Sequence, residues 1–288
     1  MSLYLHPSIT PDTIAEASRA GITGVKSYPA GVTTNSASGV LSYEPYYPVF
    51  AAMQEHNMLL NLHGEVPSDS TDHKDITVLN AEAAFLPQLL KLHASFPRLR
   101  IILEHCTTAA AIAAVDSCGP TVAATITAHH LYLTVDDWCA DPFSFCKPVA
   151  KTPEDRRALL KAVVSGNPKF FFGSDSAPHP VSAKKTSGHA KTAAGCFTQG
   201  WATQLVVGAL EVAQEKGLLE GELEVPEEVL AGFLGGFGRA FYKAPAATGK
   251  IVLEKKGEKV GDMVRSKDGQ VEVVPFRSGE ETWSLKWV

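Results

Sequence analysis

Six short apolar runs recur along the first two thirds of the chain, with longer helical patterns between them. The runs are residues 4–5, 21–28, 59–63, 99–105, 121–127 and 169–175. They are apolar along most of their length, which is typical of strands that are buried on both faces. Helices are predicted over residues 11–20, 46–56, 81–95 and 153–165. Strand and helix units that repeat in this way predict an α/β fold with a parallel sheet.

The length and composition fit one large folded unit. The chain has 288 residues, of which 45% are hydrophobic and 20% are charged. A single α/β barrel and two smaller domains are both compatible with that length. Short strands separated by glycine and charged residues are predicted at 250–253, 262–264 and 271–274. We therefore predict a barrel part over residues 1–245 and a small C-terminal β segment over residues 246–288.

Several classes of partner are disfavoured by composition. The formal net charge is −5, and the lysines and arginines form no block or stripe, which argues against a nucleic-acid partner. No apolar run reaches the ~18 residues of a membrane span, and the first residues do not resemble a signal peptide. The five cysteines contain no Cys-x-x-Cys motif. This pattern predicts reduced thiols and a cytoplasmic protein.

A polar residue follows or closes each of four apolar runs. These residues are Lys26, His63, His105 and Asp175. The carboxyl ends of the strands of a parallel α/β barrel meet at one rim, where the active sites of this fold are built. Imidazole and carboxylate groups are ligands that suit zinc. The four positions therefore predict a shared metal site, although each residue taken alone is also compatible with a structural role.

Lys26 is placed unusually for a lysine, because it lies within an apolar strand. A buried ammonium group is costly unless it is paired or modified. Carbamylation by CO₂ would convert it into an anion that can bridge two metal ions. The alternative is an ion pair with a nearby carboxylate, such as Glu65 or Glu104.

The segment from Ser174 to His179 offers an acid and a base close together. Asp175 could bind metal and accept a proton from a bound water, and His179 could face a substrate. The alternative for His179 is a loop histidine without a role. His129 and His130 follow the fifth run, and neighbouring residues at a strand end point to opposite sides, so at most one of them would face the rim.

The order of these motifs resembles that of the homodimeric dihydroorotases of bacteria and fungi, with the greater similarity to the fungal enzymes. The resemblance covers essentially the whole chain. The segments that carry it are residues 24–36, 61–65, 103–108, 124–130, 145–149, 171–180, 193–197 and 283–287.

The resemblance implies a metal-dependent amidohydrolase with a TIM-like (β/α)₈ barrel and two zinc ions. It implies the interconversion of N-carbamoyl-L-aspartate and L-dihydroorotate in pyrimidine biosynthesis, by a homodimer. Carboxylated Lys26 would bridge the two zinc ions, with His63 and His105 on the second zinc and Asp175 on the first. Asp175 would also act as general base in hydrolysis and as general acid in ring closure. The residues implied to position or enclose the substrate are Thr33, Thr34, the backbone of Lys147, His179 and Ala194.

The chain departs from the family pattern in one respect. It contains no His-x-His pair, which in the family lies on the first strand and holds the first zinc, and an arginine follows that pair in the family. We count six strands where a barrel has eight. The expectation is therefore a barrel that lacks its first two βα units, as in a truncated gene model, with an incomplete first zinc site and little or no activity.

Two other functions are alternatives to the dihydroorotase reaction. The first is another cyclic amidohydrolase of the hydantoinase kind, which the segments around Thr33 and His179 disfavour. The second is a non-catalytic scaffold related to amidohydrolases. Such a protein would have lost site residues by substitution, whereas Lys26, His63, His105 and Asp175 are all present.

Overall fold

A parallel sheet of six strands forms the centre of the molecule. The computed structural model describes residues 1–33, 36, 38–68, 74–187, 191–219 and 225–288. The strands are β1 (Ser2–Tyr4), β2 (Gly24–Ser27), β3 (Leu59–His63), β4 (Arg100–Glu104), β5 (Val122–Ile126) and β6 (Phe170–Phe172). They lie side by side in chain order, and every pairing is parallel. The predicted α/β class and all six predicted strands are confirmed.

Helices connect the strands and cover the outer face of the sheet. They are α1 (Pro11–Arg19), α2 (Tyr47–Glu55), α3 (Ala81–Ser95), α4 (Ala109–Ser117), α5 (Val135–Ala140), α6 (Pro153–Val164), α7 (Val181–Lys184), α8 (Ala202–Glu215), α9 (Glu227–Ala231) and α10 (Phe237–Tyr242). The four predicted helices α1, α2, α3 and α6 are confirmed. The other six were not predicted.

Threonine side chains begin several of these helices. Thr10, Thr108 and Thr152 each accept a hydrogen bond from a backbone N–H in the first turn of the following helix. At α6 the cap is reciprocal, because Asp155 accepts from the Thr152 backbone. Asp155 also accepts from the Ala109 N–H at 2.9 Å, so the start of α6 is linked to the start of α4. Such caps satisfy N–H groups that have no partner within the helix.

The two faces of the sheet have different surroundings. The outer face packs with the helices into the large apolar core, to which Leu60, Leu62 and Leu103 belong. The inner face begins with a smaller apolar layer formed by Leu59, Ile102, Ala123 and Phe171. The aromatic residues Phe237, Phe241 and Tyr242 of α10 pack against this layer. The inner face is therefore covered at the amino ends of the strands, and its polar residues lie at the carboxyl ends.

The last part of the chain is antiparallel. Strand β7 (Ile251–Lys259) pairs with β10 (Glu281–Trp287), and β8 (Val264–Arg265) pairs with β9 (Glu272–Val273). The three C-terminal strands expected from sequence are confirmed, whereas β10 was not predicted. The Trp283 indole N–H donates to Glu211 of α8 at 3.0 Å, which ties β10 to the helical part. The domain boundary at residue 246 stays a prediction. None of the helices within the described ranges is long and apolar enough to cross a membrane.

Candidate active site at the carboxyl edge of the sheet

Lys26 lies on β2, opposite Tyr4 on one side and Asn61 on the other. Its ammonium nitrogen stands 5.1 Å from the centroid of the Tyr28 ring. Burial lowers the pKa of Lys26, while the negative charges of Glu104 and Asp175 act in the opposite direction. In the described part of the chain, the expected alternative of an ion pair with Glu65 or Glu104 is not formed. Glu65 is bonded to His63, and Glu104 to Asn61 and Thr125.

His63 is the last residue of β3 and is oriented by a carboxylate. Its Nε2–H donates to Glu65 at 2.6 Å, and both side chains are buried. Because the carboxylate accepts the proton of Nε2, the lone pair of the neutral ring lies on Nδ1. Burial is the largest cause of the lowered pKa of His63, opposed by its bond to Glu65. The pKa of Glu65 is also lowered; burial opposes this shift, and the bond to His63 is the main cause.

His105 follows β4 and lies against His63, with ring centroids 4.7 Å apart. Its backbone has φ 44°, in the left-handed region that non-glycine residues seldom adopt. Its N–H donates to the Thr125 hydroxyl at 2.7 Å, which fixes this turn. Burial holds the pKa of His105 well below its usual value, and the positive charges of His63 and Lys26 add to this effect. The Nδ1 atom of His105 is buried and has no hydrogen-bond partner among the described residues.

Asp175 comes three residues after the end of β6 and also has a left-handed backbone, with φ 39°. The residue is exposed to solvent, yet enough protein surrounds its carboxyl group to desolvate it in part. This desolvation raises the pKa of Asp175 to about 7; Lys26 opposes the increase and Glu104 adds to it. Lys26 also affects the pKa values of His63 and His105. Lys26 is thus within electrostatic range of the other three residues predicted as metal ligands.

A layer of polar side chains lies beneath these groups, and sequence reasoning missed it. Glu104 accepts from Asn61 Nδ2 at 2.7 Å and from the Thr125 hydroxyl at 2.6 Å. Asn61 Nδ2 also donates to the Tyr242 hydroxyl of α10 at 2.8 Å. One sequence signal was available, because Asn61 precedes His63 by two residues on an otherwise apolar strand and so shares its face. No comparable signal pointed to Tyr242.

A cleft beside this edge contains three of the residues predicted to contact substrate. Thr33, Lys147 and Ala194 line it, together with Trp138 and Phe145, and its volume is ≈ 740 Å³. Lys147 Nζ donates across the cleft to the Val32 carbonyl at 2.9 Å. His179, the fourth, donates through Nε2 to the Ala194 carbonyl at 3.0 Å. Thr34, the fifth, lies outside the described residues.

Comparison with known proteins identifies the family to which this arrangement belongs. No protein-family model matches the chain. The probable dihydroorotase of Schizosaccharomyces pombe is 53% identical over 100% of this chain and 79% of its own length. The dihydroorotase of Saccharomyces cerevisiae is 47% identical over 100% of this chain and 80% of its own length. This chain belongs to the dihydroorotase family.

Solved dihydroorotase structures agree with this assignment. The crystal structure of the Saccharomyces cerevisiae enzyme in complex with 5-fluoroorotic acid has a TM-score of 0.88 and 46% identity, covering 100% of this chain and 80% of that one. The Campylobacter jejuni dihydroorotase has a TM-score of 0.81 and 33% identity, covering 100% and 77%. An L-hydantoinase from Arthrobacter aurescens, at a TM-score of 0.71 and 15% identity, shares the fold alone. The predicted amidohydrolase barrel class and the fungal affinity are confirmed, and the hydantoinase alternative is the weaker one.

Dihydroorotases are metal-dependent amidohydrolases, and the predicted ligands of this family member suit a metal. Two neutral imidazoles, a carboxylate and a lysine meet at one edge. The unpartnered, buried Nδ1 of His105 is an atom that a metal ion would satisfy. His63 has the carboxylate partner that metal-binding histidines usually have on the far side of the ring.

A second cluster of potential metal ligands follows β5, near enough to His105 for the charge of His130 to affect the pKa of His105. One ligand atom from each of His129, His130 and Cys146 lies within 4.8 Å of the other two, and all three residues are buried. His130 already uses both ring nitrogens, with the Thr127 hydroxyl at 2.7 Å and the Pro148 carbonyl at 2.9 Å. His129 and His130 occupy a helical turn and not a strand end, so the expectation that at most one faces the rim rested on the wrong geometry. We interpret the cluster as part of the packed interior.

Proposed function

We propose that this chain interconverts N-carbamoyl-L-aspartate and L-dihydroorotate. The observation that carries the proposal is the 53% identity to the Schizosaccharomyces pombe probable dihydroorotase over all of this chain. The cleft beside the histidines has room for a ligand of that size and is lined by Lys147 as a cationic group. We also propose a cytoplasmic homodimer. Its five cysteines are all free thiols, which supports a reducing compartment.

The metal site of this proposal consists of Lys26, His63, His105 and Asp175, holding two zinc ions. Lys26 would act as an N-carboxylate, formed when its neutral amine attacks CO₂ and then loses a proton. Burial lowers the pKa of Lys26 and therefore favours the neutral amine that this reaction needs. The metals, when bound, would supply Lewis-acid activation of the substrate carbonyl and of the attacking water.

The protein groups have separate tasks in the proposed reaction. Asp175 would take the proton from the attacking water in hydrolysis and return a proton to the leaving nitrogen. In ring closure the same two transfers run in reverse. In the metal-free chain the surroundings raise the pKa of Asp175 to about 7, so they favour its protonated form more than water does. The bond from His179 Nε2 to the Ala194 carbonyl leaves the other ring nitrogen available for a contact with the substrate.

Substrate contacts would come from the cleft. The N–H of Ala194 has no hydrogen-bond partner among the described residues, so it is free to donate to a substrate oxygen. The hydroxyl of Thr33 is also unpartnered within the described ranges. Lys147 holds the Val32 carbonyl and so keeps the segment that carries Thr33 over the cleft. We propose that this segment, with Thr34, excludes water from the reacting groups.

Ligand selection is the sharpest test, because it does not depend on how fast the chain turns over. The 288-residue protein, loaded with zinc, is titrated with 5-fluoroorotate, and the bound ligand is challenged with L-dihydroorotate or hydantoin. We expect binding that dihydroorotate displaces and hydantoin does not. Binding of hydantoin but not of 5-fluoroorotate would refute the proposed substrate class.

A hydrolysis assay with dihydroorotate tests the proposed reaction directly. We expect turnover that Asp175→Asn abolishes. A chain that neither binds 5-fluoroorotate nor hydrolyses dihydroorotate would refute the function itself.

A further inference from the structure

Lys184 is a buried lysine whose partners are all backbone carbonyls. It is the last residue of α7, and its side chain is 3% exposed. Its ammonium donates to the carbonyls of Phe145 at 2.9 Å, Ala193 at 2.9 Å and Gly195 at 2.8 Å. An ammonium group has three hydrogens, so its donor capacity is fully used. Burial of a charged amine is expensive, and such a group is retained where its bonds have a task.

Asp141, the carboxylate that acts on Lys184, is hydrogen-bonded to other groups. Asp141 is the carboxylate whose charge raises the pKa of Lys184, against the larger lowering caused by burial. Asp141 itself accepts from the Phe143 N–H at 3.0 Å and the Ser144 hydroxyl at 2.8 Å. The role of Lys184 is therefore set by the three carbonyls that it binds.

Those carbonyls belong to two segments that line the proposed substrate cleft. Phe145, Ala193 and Ala194 are all in its wall. The two segments also meet directly, because the Gly195 N–H donates to the Phe145 carbonyl at 2.9 Å. Ala193 is held on its amide side as well, where its N–H donates to the Ala183 carbonyl at 2.9 Å.

The bonds along residues 193–195 alternate in direction. The carbonyls of Ala193 and Gly195 accept from Lys184, whereas the carbonyl of Ala194 between them accepts from His179. In an extended segment, successive residues present their N–H and C=O groups to opposite sides. Fixing the two outer residues towards Lys184 therefore turns the N–H and C=O of Ala194 to the side where His179 lies.

The same segment is joined to the one that carries Asp175. Ser176 pairs with Cys196, and the Ala177 N–H donates to the Cys196 carbonyl at 2.9 Å. A Cβ atom at position 195 would stand 2.5 Å from the Ala177 Cβ, so the two segments touch where Gly195 lies. A shift of residues 193–195 would displace both His179 and the chain that follows Asp175.

We propose that Lys184 is a positioning residue for substrate binding, which acts by holding residues 193–195 so that Ala194 and His179 face the substrate. This inference rests on the proposed function and adds a residue to it. Lys184 itself touches no substrate. Its loss is expected to weaken ligand binding more than it slows the chemical step. His179 is bonded directly to Ala194, whereas the held segment reaches Asp175 only through the residues that follow it.

The test compares Lys184→Met and Lys184→Arg with Lys185→Met as the matched control. Lys185 is the next residue, is exposed, and lies 5.1 Å from the Phe143 ring, outside the cleft. The measurements are the Kd for 5-fluoroorotate, followed by the fluorescence of Trp138 in the cleft wall, and KM and kcat for dihydroorotate at equal zinc content.

We expect the Kd and KM of Lys184→Met to rise about tenfold or more, with a smaller fall in kcat. The arginine variant keeps donors for the carbonyls and should lie about threefold above wild type, while Lys185→Met should stay within about twofold. A folded Lys184 variant with wild-type Kd and KM would overturn the inference. If neither Lys184 variant folds, the residue serves stability and the inference is wrong. A wild-type chain without ligand binding or turnover refutes the proposed function, and this inference with it.

Discussion

Glu65→Gln is the change that best tests whether His63 is a metal ligand. In the wild-type chain the Glu65 carboxylate accepts the Nε2 proton of His63 at 2.6 Å, which leaves Nδ1 free to bind a metal. A glutamine has two ways to fill the same space. Its carbonyl can accept the Nε2 proton without the negative charge, or its amide can donate to Nε2 and move the ring proton to Nδ1. The first weakens the ligand, and the second blocks it.

The size of the effect follows from burial. The side chains of His63 and Glu65 are 1% and 2% exposed, so solvent cannot replace the lost charge. Removing the carboxylate partner of a ligating histidine costs about 10- to 100-fold in metal affinity, or about 1.4–2.8 kcal/mol. We expect a loss in this range for the metal that His63 holds.

The measurement is zinc affinity by competition with a chromogenic chelator, on folded protein at pH 7. Glu82→Gln is a matched control, because Glu82 is also buried but accepts the Thr107 N–H at 2.9 Å and has no imidazole partner among the residues that the structure describes. A glutamine there still offers an oxygen to that N–H, so zinc affinity should stay within about threefold. Equal zinc affinity of Glu65→Gln and wild type would refute the reasoning, and His63 would then be a structural residue.

Three further predictions concern other parts of the molecule. Lys147→Met removes the bond to the Val32 carbonyl and should raise KM for dihydroorotate about three- to tenfold with a smaller change in kcat. An unchanged KM would show that this bond does not contribute to substrate binding. Tyr242→Phe removes the hydroxyl that accepts from Asn61 and should lower the free energy of unfolding in urea by about 1 kcal/mol, whereas no change would mean that Asn61 finds another partner. His129→Leu should reduce acid sensitivity, because burial holds the pKa of His129 well below its usual value and the unfolded chain alone takes up this proton as the pH falls below about 6.5. Stability linked to His129 is thus complete above that pH and is lost progressively below it. Equal losses of unfolding free energy in the variant and in metal-free wild type between pH 7 and pH 5 would contradict the assignment.

The strands and the groups at their ends could be predicted because two local signals coincide there. The strands are apolar along most of their length, and a charged or imidazole side chain lies at or just after the carboxyl end of four of the six. His63 illustrates this, since it is the last residue of a strand that begins at Leu59 and is buried throughout. Helix α4 lacked such a signal, because its nine residues are mostly alanine and show little periodicity, although Thr108 caps it.

The polar layer could not be predicted, because it depends on contacts between distant parts of the chain. Asn61 and Tyr242 are 181 residues apart, and only the packing of α10 against the inner face brings them together. Lys184 presents the same difficulty. It adjoins Lys185 in the sequence, and the two differ only in that one is buried against carbonyl groups while the other is exposed. Sequence reasoning has no access to that difference.

The polar layer also contributes to the pKa shifts of Lys26 and Asp175 at the carboxyl edge of the sheet. Burial by itself lowers the pKa of Lys26 and raises that of Asp175, so that both groups would tend to be neutral. Glu104 lies beneath them, with its oxygens held by Asn61 and Thr125, so its negative charge has a fixed position. That charge favours a proton on either group: it opposes the shift at Lys26 and reinforces the shift at Asp175. Glu104→Gln would remove this negative charge, and the pKa of Asp175 should then fall towards its usual value. Burial is therefore the largest cause of the raised pKa of Asp175, and the fixed charge of Glu104 adds to it from the polar layer.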